Sequence, residues 1–144
     1  MLEVRLSCQS NIPPVFQVES PLTDSPKTRF SPGSITTDPV LWRAIIANLL
    51  GNAVTYAPGG STLRISASPR VFAVENEAPD LDPGDLDRLF ERFWRKSSSR
   101  TEKGHSGLGL SVVRAAVTFL GGECSASLDG AWLRVEVRWP GTTV

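Results

Sequence analysis

Apolar residues recur at helical spacing over residues 41–53, where Leu41, Trp42, Ile45, Ile46, Leu49, Leu50 and Ala53 gather on one side. Asp38-Pro39 precedes the run as an N-cap with proline at the first helical position. Ala57-Pro58-Gly59-Gly60 stops it, so the pattern predicts a helix to about Tyr56. The period then changes to two. Leu63, Ile65 and Ala67 alternate with Arg64, Ser66 and Ser68, a half-buried strand, and residues 71–76 read as its antiparallel partner after a turn at Ser68-Pro69-Arg70. Asp82-Pro83 starts a short helix through Phe90. Leu110, Val113, Val117 and Leu120 mark a last helix near 108–120, ended by Gly121-Gly122. Residues 123–128, an Asp129-Gly130 turn and residues 131–139 form a closing hairpin. Its second strand turns Leu133, Val135, Val137 and Trp139 one way and Arg134, Glu136 and Arg138 the other.

The first 34 residues are harder to read. Val4-Arg5-Leu6-Ser7-Cys8 alternates like a strand, residues 11–33 carry five prolines and read as an irregular connection, and Ser34-Ile35-Thr36-Thr37 suggests a short strand. The expected division is an N-terminal strand and proline-rich connection over 1–34, and a domain over 35–144, with length setting a prior of one folding unit overall. The element order predicts an α+β fold, a two-layer sandwich with a mostly antiparallel, mixed sheet and about three helices on one face.

Polar exceptions inside this pattern are the candidates for chemistry. Asn48 and Asn52, four residues apart, line up with Leu41 and Ile45 on one edge of the first helix. Two amides placed where Leu or Ala would fit cost stability unless something polar satisfies them. They can hydrogen-bond to neighbouring backbone, or present oxygens to a hydrated Mg²⁺ and the phosphates it carries. The run Gly104-His105-Ser106-Gly107-Leu108-Gly109-Leu110 opens the last helix, and its glycines let backbone N–H groups approach an anion at a helix N-terminus. Between the two lies a serine-rich, basic stretch, residues 94–106, with no apolar residue after Trp94; its composition predicts a mobile loop with a functional role.

Composition changes this picture by exclusion. The 144 residues are 40% hydrophobic and 21% charged, and fifteen basic residues balance fifteen acidic ones, so nothing argues for nucleic acid or an anionic lipid surface. Two cysteines, Cys8 and Cys124, with no neighbouring histidine, argue against a zinc site and fit reduced thiols in a cytosolic setting. No apolar run is long enough for a membrane span, and no signal peptide is evident.

Taken in order, the paired-Asn helix, the strand, Leu89-Phe90-Glu91-Arg92-Phe93-Trp94-Arg95, the basic loop and Gly107-Leu108-Gly109-Leu110 resemble the catalytic and ATP-binding domain of bacterial sensor histidine kinases. This is the Bergerat fold, similar to that of gyrase and the heat-shock ATPase chaperones; the resemblance covers roughly residues 35–139. It implies ATP and Mg²⁺ as cofactors, with Asn52 as metal ligand and Asn48 as a second polar contact to metal or phosphates. Tyr56 takes the position of an aromatic near the nucleotide. Phe90 and Phe93 match aromatic anchors of the ATP lid and are expected to pack. Arg95 is the favoured phosphate contact, with Lys96, Arg100 and Lys103 reaching the polyphosphate as the lid closes. His105, Ser106, Gly107, Leu108, Gly109 and Leu110 line the glycine-rich loop, and Leu81 is counted among the nucleotide contacts.

The departures from the family pattern carry information. Hydrolytic relatives have a glutamate one turn before the Mg²⁺ asparagine; Asn48 stands there and cannot act as a general base, which favours transfer of the γ-phosphoryl to an acceptor over hydrolysis. The family's Asp-x-Gly-x-Gly is replaced by Asn76-Glu77-Ala78-Pro79-Asp80-Leu81. Alternation turns Asn76 inward with Phe72 and Val74, where it can accept from the adenine amino group without the charge that about doubles such a bond. Nucleotide affinity below the family norm is expected. The only histidine, His105, lies in the glycine loop, so the phosphoacceptor is expected on a separate helical hairpin of the same parent kinase, with a response regulator downstream. The fragment is expected to be a cytoplasmic monomer, its parent a homodimer anchored in the inner membrane. A degenerate nucleotide-binding regulatory module without phosphotransfer, and a serine kinase of the anti-sigma type, are the alternatives.

Overall fold

The computed structural model of the chain describes residues 2–7, 15–19, 37–68, 70–96 and 107–140. Its elements are β1 (Leu2–Ser7), β2 (Val15–Glu19), α1 (Pro39–Tyr56), β3 (Thr62–Ala67), β4 (Val71–Glu77), a 3₁₀ helix (Pro83–Arg88), α2 (Gly109–Phe119), β5 (Glu123–Asp129) and β6 (Trp132–Arg138). The six strands form one sheet in the order β2-β1-β3-β4-β6-β5, and every described pairing is antiparallel. Two α-helices and the 3₁₀ helix stand where about three helices were expected. The expected short strand at 34–37 falls almost wholly outside the described residues.

One N-terminal expectation needs correction. Residues 11–33 are not irregular throughout, because β2 lies within them and pairs along β1, with Val4 opposite Val18 and Leu6 opposite Phe16. Val15, Phe16 and Val18 are strong strand formers, and the prolines on either side bound the strand rather than prevent it.

Both α-helices cover one face of the sheet. Asp38 caps α1 through its carboxylate, which accepts from the N–H groups of Val40 (2.8 Å) and Leu41 (3.0 Å). From α1, Ile45, Leu49 and Ala53 enter the core; from α2, Leu110, Val113 and Val117 meet them. The sheet supplies Leu63, Val74, Leu133, Val135 and Val137. Register makes this face continuous: Phe72 opposes Val137 and Val74 opposes Val135 across β4–β6, while Cys124 and Ala126 extend the same rows into β5. Burial pushes the Cys124 thiol up to about 12, so it behaves as an inert packed side chain. Trp42 closes one end, edge-on to both Phe72 (5.8 Å between centroids) and Trp139 (4.9 Å).

The other face is polar and ion-paired. Arg134 of β6 donates to Glu75 of β4 (2.6 Å) and to Glu136 (2.8 Å), and Arg138 reaches Glu136 at 2.6 Å. Hydrogen bonding from Arg134, aided by Arg138 and opposed by partial burial, holds the Glu136 carboxyl below its ordinary 4.5. A depressed folded-state value means this contribution is complete above the unfolded value and is lost as pH falls through the folded one. Urea midpoints are therefore expected to drop between pH 6 and pH 3, with a shallower drop in Glu136→Gln. Equal slopes in the two proteins would remove Glu136 from the acid response.

Candidate functional site

α1 presents Asn48, Asn52 and Tyr56 in line, one turn apart, all half-buried. Asn48 does make the local backbone bond open to such residues: its Nδ2 donates to Ala44 O at 2.8 Å. That bond fixes the amide with its oxygen outward, against the start of α2, where a Cβ added to Gly109 would stand 3.4 Å from Asn48 Oδ1. The two sequence-distant motifs therefore meet in space.

The start of α2 is built for close approach. Leu108 offers no side-chain cap, and no acidic residue lies in the first turn, so the leading N–H groups keep their donor capacity and the positive end of the helix dipole. Leu110 is driven into the core and fixes the helix beneath them. Ser111 Oγ donates to Leu108 O at 2.8 Å, tightening the turn. Gly107 adopts φ +69°, and a Cβ there would stand 3.0 Å from the backbone of Phe93 and 3.1 Å from Trp94 O. Only glycine admits both the conformation and the contact. The Phe93 N–H donates to Gly107 O at 3.0 Å, bringing together the residues that flank 94–106 in sequence.

At the other side, β4 brings Asn76 into the inner face opposite Leu133, 2% exposed among apolar neighbours. Its Nδ2 donates to Glu77 O at 2.9 Å, which orients the amide and leaves Oδ1 as the acceptor. Beyond it the chain turns at Ala78, whose N–H donates to Ala131 O, and Leu81 packs against the core.

One lid-root residue sits differently from expectation. Phe90 packs, buried and under the Arg114 guanidinium at 5.2 Å, but Phe93 is 69% exposed at φ +64°. The left-handed turn at Phe93, set by its bond to Gly107, swings the ring out of the layer that Phe90 enters. Lys96 is held by carboxylates: its ammonium lies 2.8 Å from Asp82 Oδ2 and 2.6 Å from Asp85 Oδ2. These bonds hold Asp85 below and Lys96 above their ordinary values. Arg95 is exposed. Arg100, Lys103, His105 and Ser106 lie outside the described residues. From sequence Asp82 is read only as the start of the short helix and Asp85 is not singled out, although Asp82-Pro83-Gly84-Asp85 has capping-box spacing, and the Asp85 carboxylate does accept from Asp82 N–H at 2.9 Å.

Residues 37–143 match the family model described as histidine kinase-, DNA gyrase B-, and HSP90-like ATPase. The chain belongs to this family, HATPase_c. Among curated HATPase_c relatives, the sensor histidine kinase CusS of Escherichia coli (strain K12) is 33% identical over 111 residues, spanning 74% of this chain and 23% of that protein. The sensor protein QseC of Salmonella typhi is 36% identical over 106 residues, spanning 72% and 23%. The chain thus spans about a quarter of the length of the curated relatives it matches. Among solved structures, the mycobacterial sensor histidine kinase MprB superposes with a TM-score of 0.62 at 26% identity over 74% of this chain and 76% of that one. Full-length ShkA in complex with AMPPNP gives 0.55 at 28% identity over 69% and 21%. The family is one of ATPases, so ATP is the nucleotide this HATPase_c fold implies.

The residues present fit a nucleotide-borne Mg²⁺. Amide oxygens are hard, neutral donors, and Mg²⁺ prefers few protein ligands plus phosphate oxygens and waters. No group of three His, Cys, Asp or Glu suited to an all-protein cage occurs among the described residues.

Proposed function

We propose that this chain is the ATP-binding catalytic half of a sensor histidine kinase, which transfers the γ-phosphoryl of ATP to a histidine on a separate dimerisation and phosphoacceptor domain. The observation that carries the reading is the approach of Asn48 Oδ1 to the glycine start of α2. It places an amide oxygen beside a helix start that has no side-chain cap, a pairing that suits a metal and the phosphates it bridges. In this reading Asn52 is the principal metal ligand and Asn48 the second, and Mg²⁺, when bound, neutralises phosphate charge. The N–H groups of residues 108–110 hold phosphate oxygens, Tyr56 and Leu81 flank the base, and Asn76 accepts from its amino group. Arg95 contacts phosphate, with Arg100, Lys103, His105 and Ser106 contributed by the loop.

Asn48 has no carboxylate with which to activate water, and its Nδ2 is already committed to Ala44 O. The site therefore positions and charge-stabilises, and the attacking group comes from the partner's imidazole. The parent protein is read as a membrane-anchored homodimer acting on a response regulator. Among the described residues no helix is long and apolar enough to cross a membrane.

Mixing the chain with the histidine hairpin of CusS and γ-labelled ATP tests the reading. The expected product is a labelled hairpin whose label is acid-labile and alkali-stable. Acid-stable label on a serine would point to the anti-sigma type of kinase. ATP binding without any transfer, to this or a cognate hairpin, would leave the regulatory module, which the glycine-free Asn76–Asp80 segment favours.

A further inference from the structure

The ion-paired cluster of Asp82, Asp85 and Lys96 stands outside the nucleotide contacts proposed above, although the family resemblance has Lys96 reach the polyphosphate. Asp85 Oδ2 accepts from Asp82 N–H at 2.9 Å and from Lys96 Nζ at 2.6 Å, so the capping box that starts the 3₁₀ helix also aims its carboxylate at the lysine. The side chains of Lys96 and Asp85 are mostly covered, 26% and 19% exposed. Three residues before Lys96, Phe93 is held in a left-handed conformation that bulky residues avoid, and its N–H is bonded to Gly107 O. Gly107 in turn packs directly on the Phe93 and Trp94 backbone, two residues before Gly109 and the Asn48 oxygen. Contacts thus run from the carboxylate pair through residues 93–96 to the residues that open α2.

We propose that Lys96 is a positioning residue: clamped by Asp82 and Asp85, it fixes the backbone of residues 93–96 against Gly107 and so sets where the first amides of α2 stand relative to Asn48. The proposal deepens the nucleotide reading and rests on it. It differs from a direct phosphate contact in a way that can be measured. A phosphate-binding lysine gains when its competing carboxylates are removed, whereas a clamp loses from either side.

The test compares Lys96→Met, the Asp82→Asn/Asp85→Asn pair, all three changes together, and Lys96→Arg, each in the 144-residue chain. Calorimetry with Mg²⁺ and ATP is expected to show about tenfold weaker binding for the first two. The combined variant should be no worse than either, because they break one interaction. Lys96→Arg should recover most of the loss. Hydrogen exchange at the Phe93 amide, read without nucleotide, should quicken in the three clamp-breaking variants and stay slow in Lys96→Arg. ATP binding at or above the parent's in the carboxylate pair, with weakening in Lys96→Met, would overturn the clamp and make Lys96 a phosphate contact. Unchanged Phe93 exchange would reduce the cluster to a local helix cap and overturn it too. If the pair variant does not fold, Asp82→Asn alone, at a side chain 80% exposed, carries the same exchange test. A parent chain that does not bind ATP would strike the nucleotide reading, and Phe93 exchange would still decide the clamp.

Discussion

Asn52→Ala is expected to abolish the Mg²⁺-dependent part of ATP binding and to lower phosphoryl transfer about 100-fold or more. The estimate starts from outer-shell partners of a bound metal, whose loss typically costs about 10–100-fold, and a direct ligand should exceed them. Asn52 lies one turn beyond Asn48 on α1, half-buried beside the Ile45, Leu49 and Ala53 stripe, so truncating it leaves the core intact. Its effect should therefore appear in function and not in the urea midpoint. Asn48→Ala should cost less, because part of what it removes is a bond within the helix to Ala44 O. Calorimetry with ATP in Mg²⁺ and in EDTA separates the terms: the parent should lose affinity in EDTA, and Asn52→Ala should show one weak affinity in both. A variant that keeps the parent's response to Mg²⁺ would remove Asn52 from the metal site.

Much of this arrangement is legible before any coordinates, and the reasons differ by element. The α1 and β6 patterns are strong because each buries one face, and the period of Ile45, Leu49 and Ala53 or of Leu133, Val135 and Val137 follows from that burial. The meeting of Asn48 with Gly109 is not a pattern in either segment. It was reachable only through the order of motifs that the family imposes. β2 escaped notice because pairing with β1, a non-local contact, makes its Val-Phe-Gln-Val segment a strand. Phe93 and Lys96 escaped for a related reason. Their surroundings are fixed by Gly107 and by Asp82 and Asp85, more than ten residues away in sequence. The Asp82-to-Asp85 spacing was a readable sign of a cap, though nothing local tied that cap to a lysine.

The proposed reading of adenine by Asn76 carries the other large expected effect. The amide is buried, and the bond from its Nδ2 to Glu77 O turns Oδ1 into the available acceptor. An acceptor matches the amino group of adenine and repels the carbonyl that guanine carries at the same place. Asn76→Leu is expected to weaken ATP binding by about 1–3 kcal/mol, the usual cost of leaving a buried polar partner unmatched. Preference for ATP over GTP should fall with it. Asn76→Asp restores a charged acceptor at a site shaped for an amide. It should strengthen ATP binding, or hold it within ~1 kcal/mol if bridging water already compensates. The same change removes the donor to Glu77 O and sets a carboxylate near that carbonyl, so stability should fall even where affinity holds or rises. Competition of ATP, GTP and ADP for the three proteins, with urea midpoints alongside, reads all of this. An Asn76→Leu variant that binds ATP as tightly as the parent and still rejects GTP would show that the base is read elsewhere. The regulatory reading of the Asn76–Asp80 segment would then gain its first direct support.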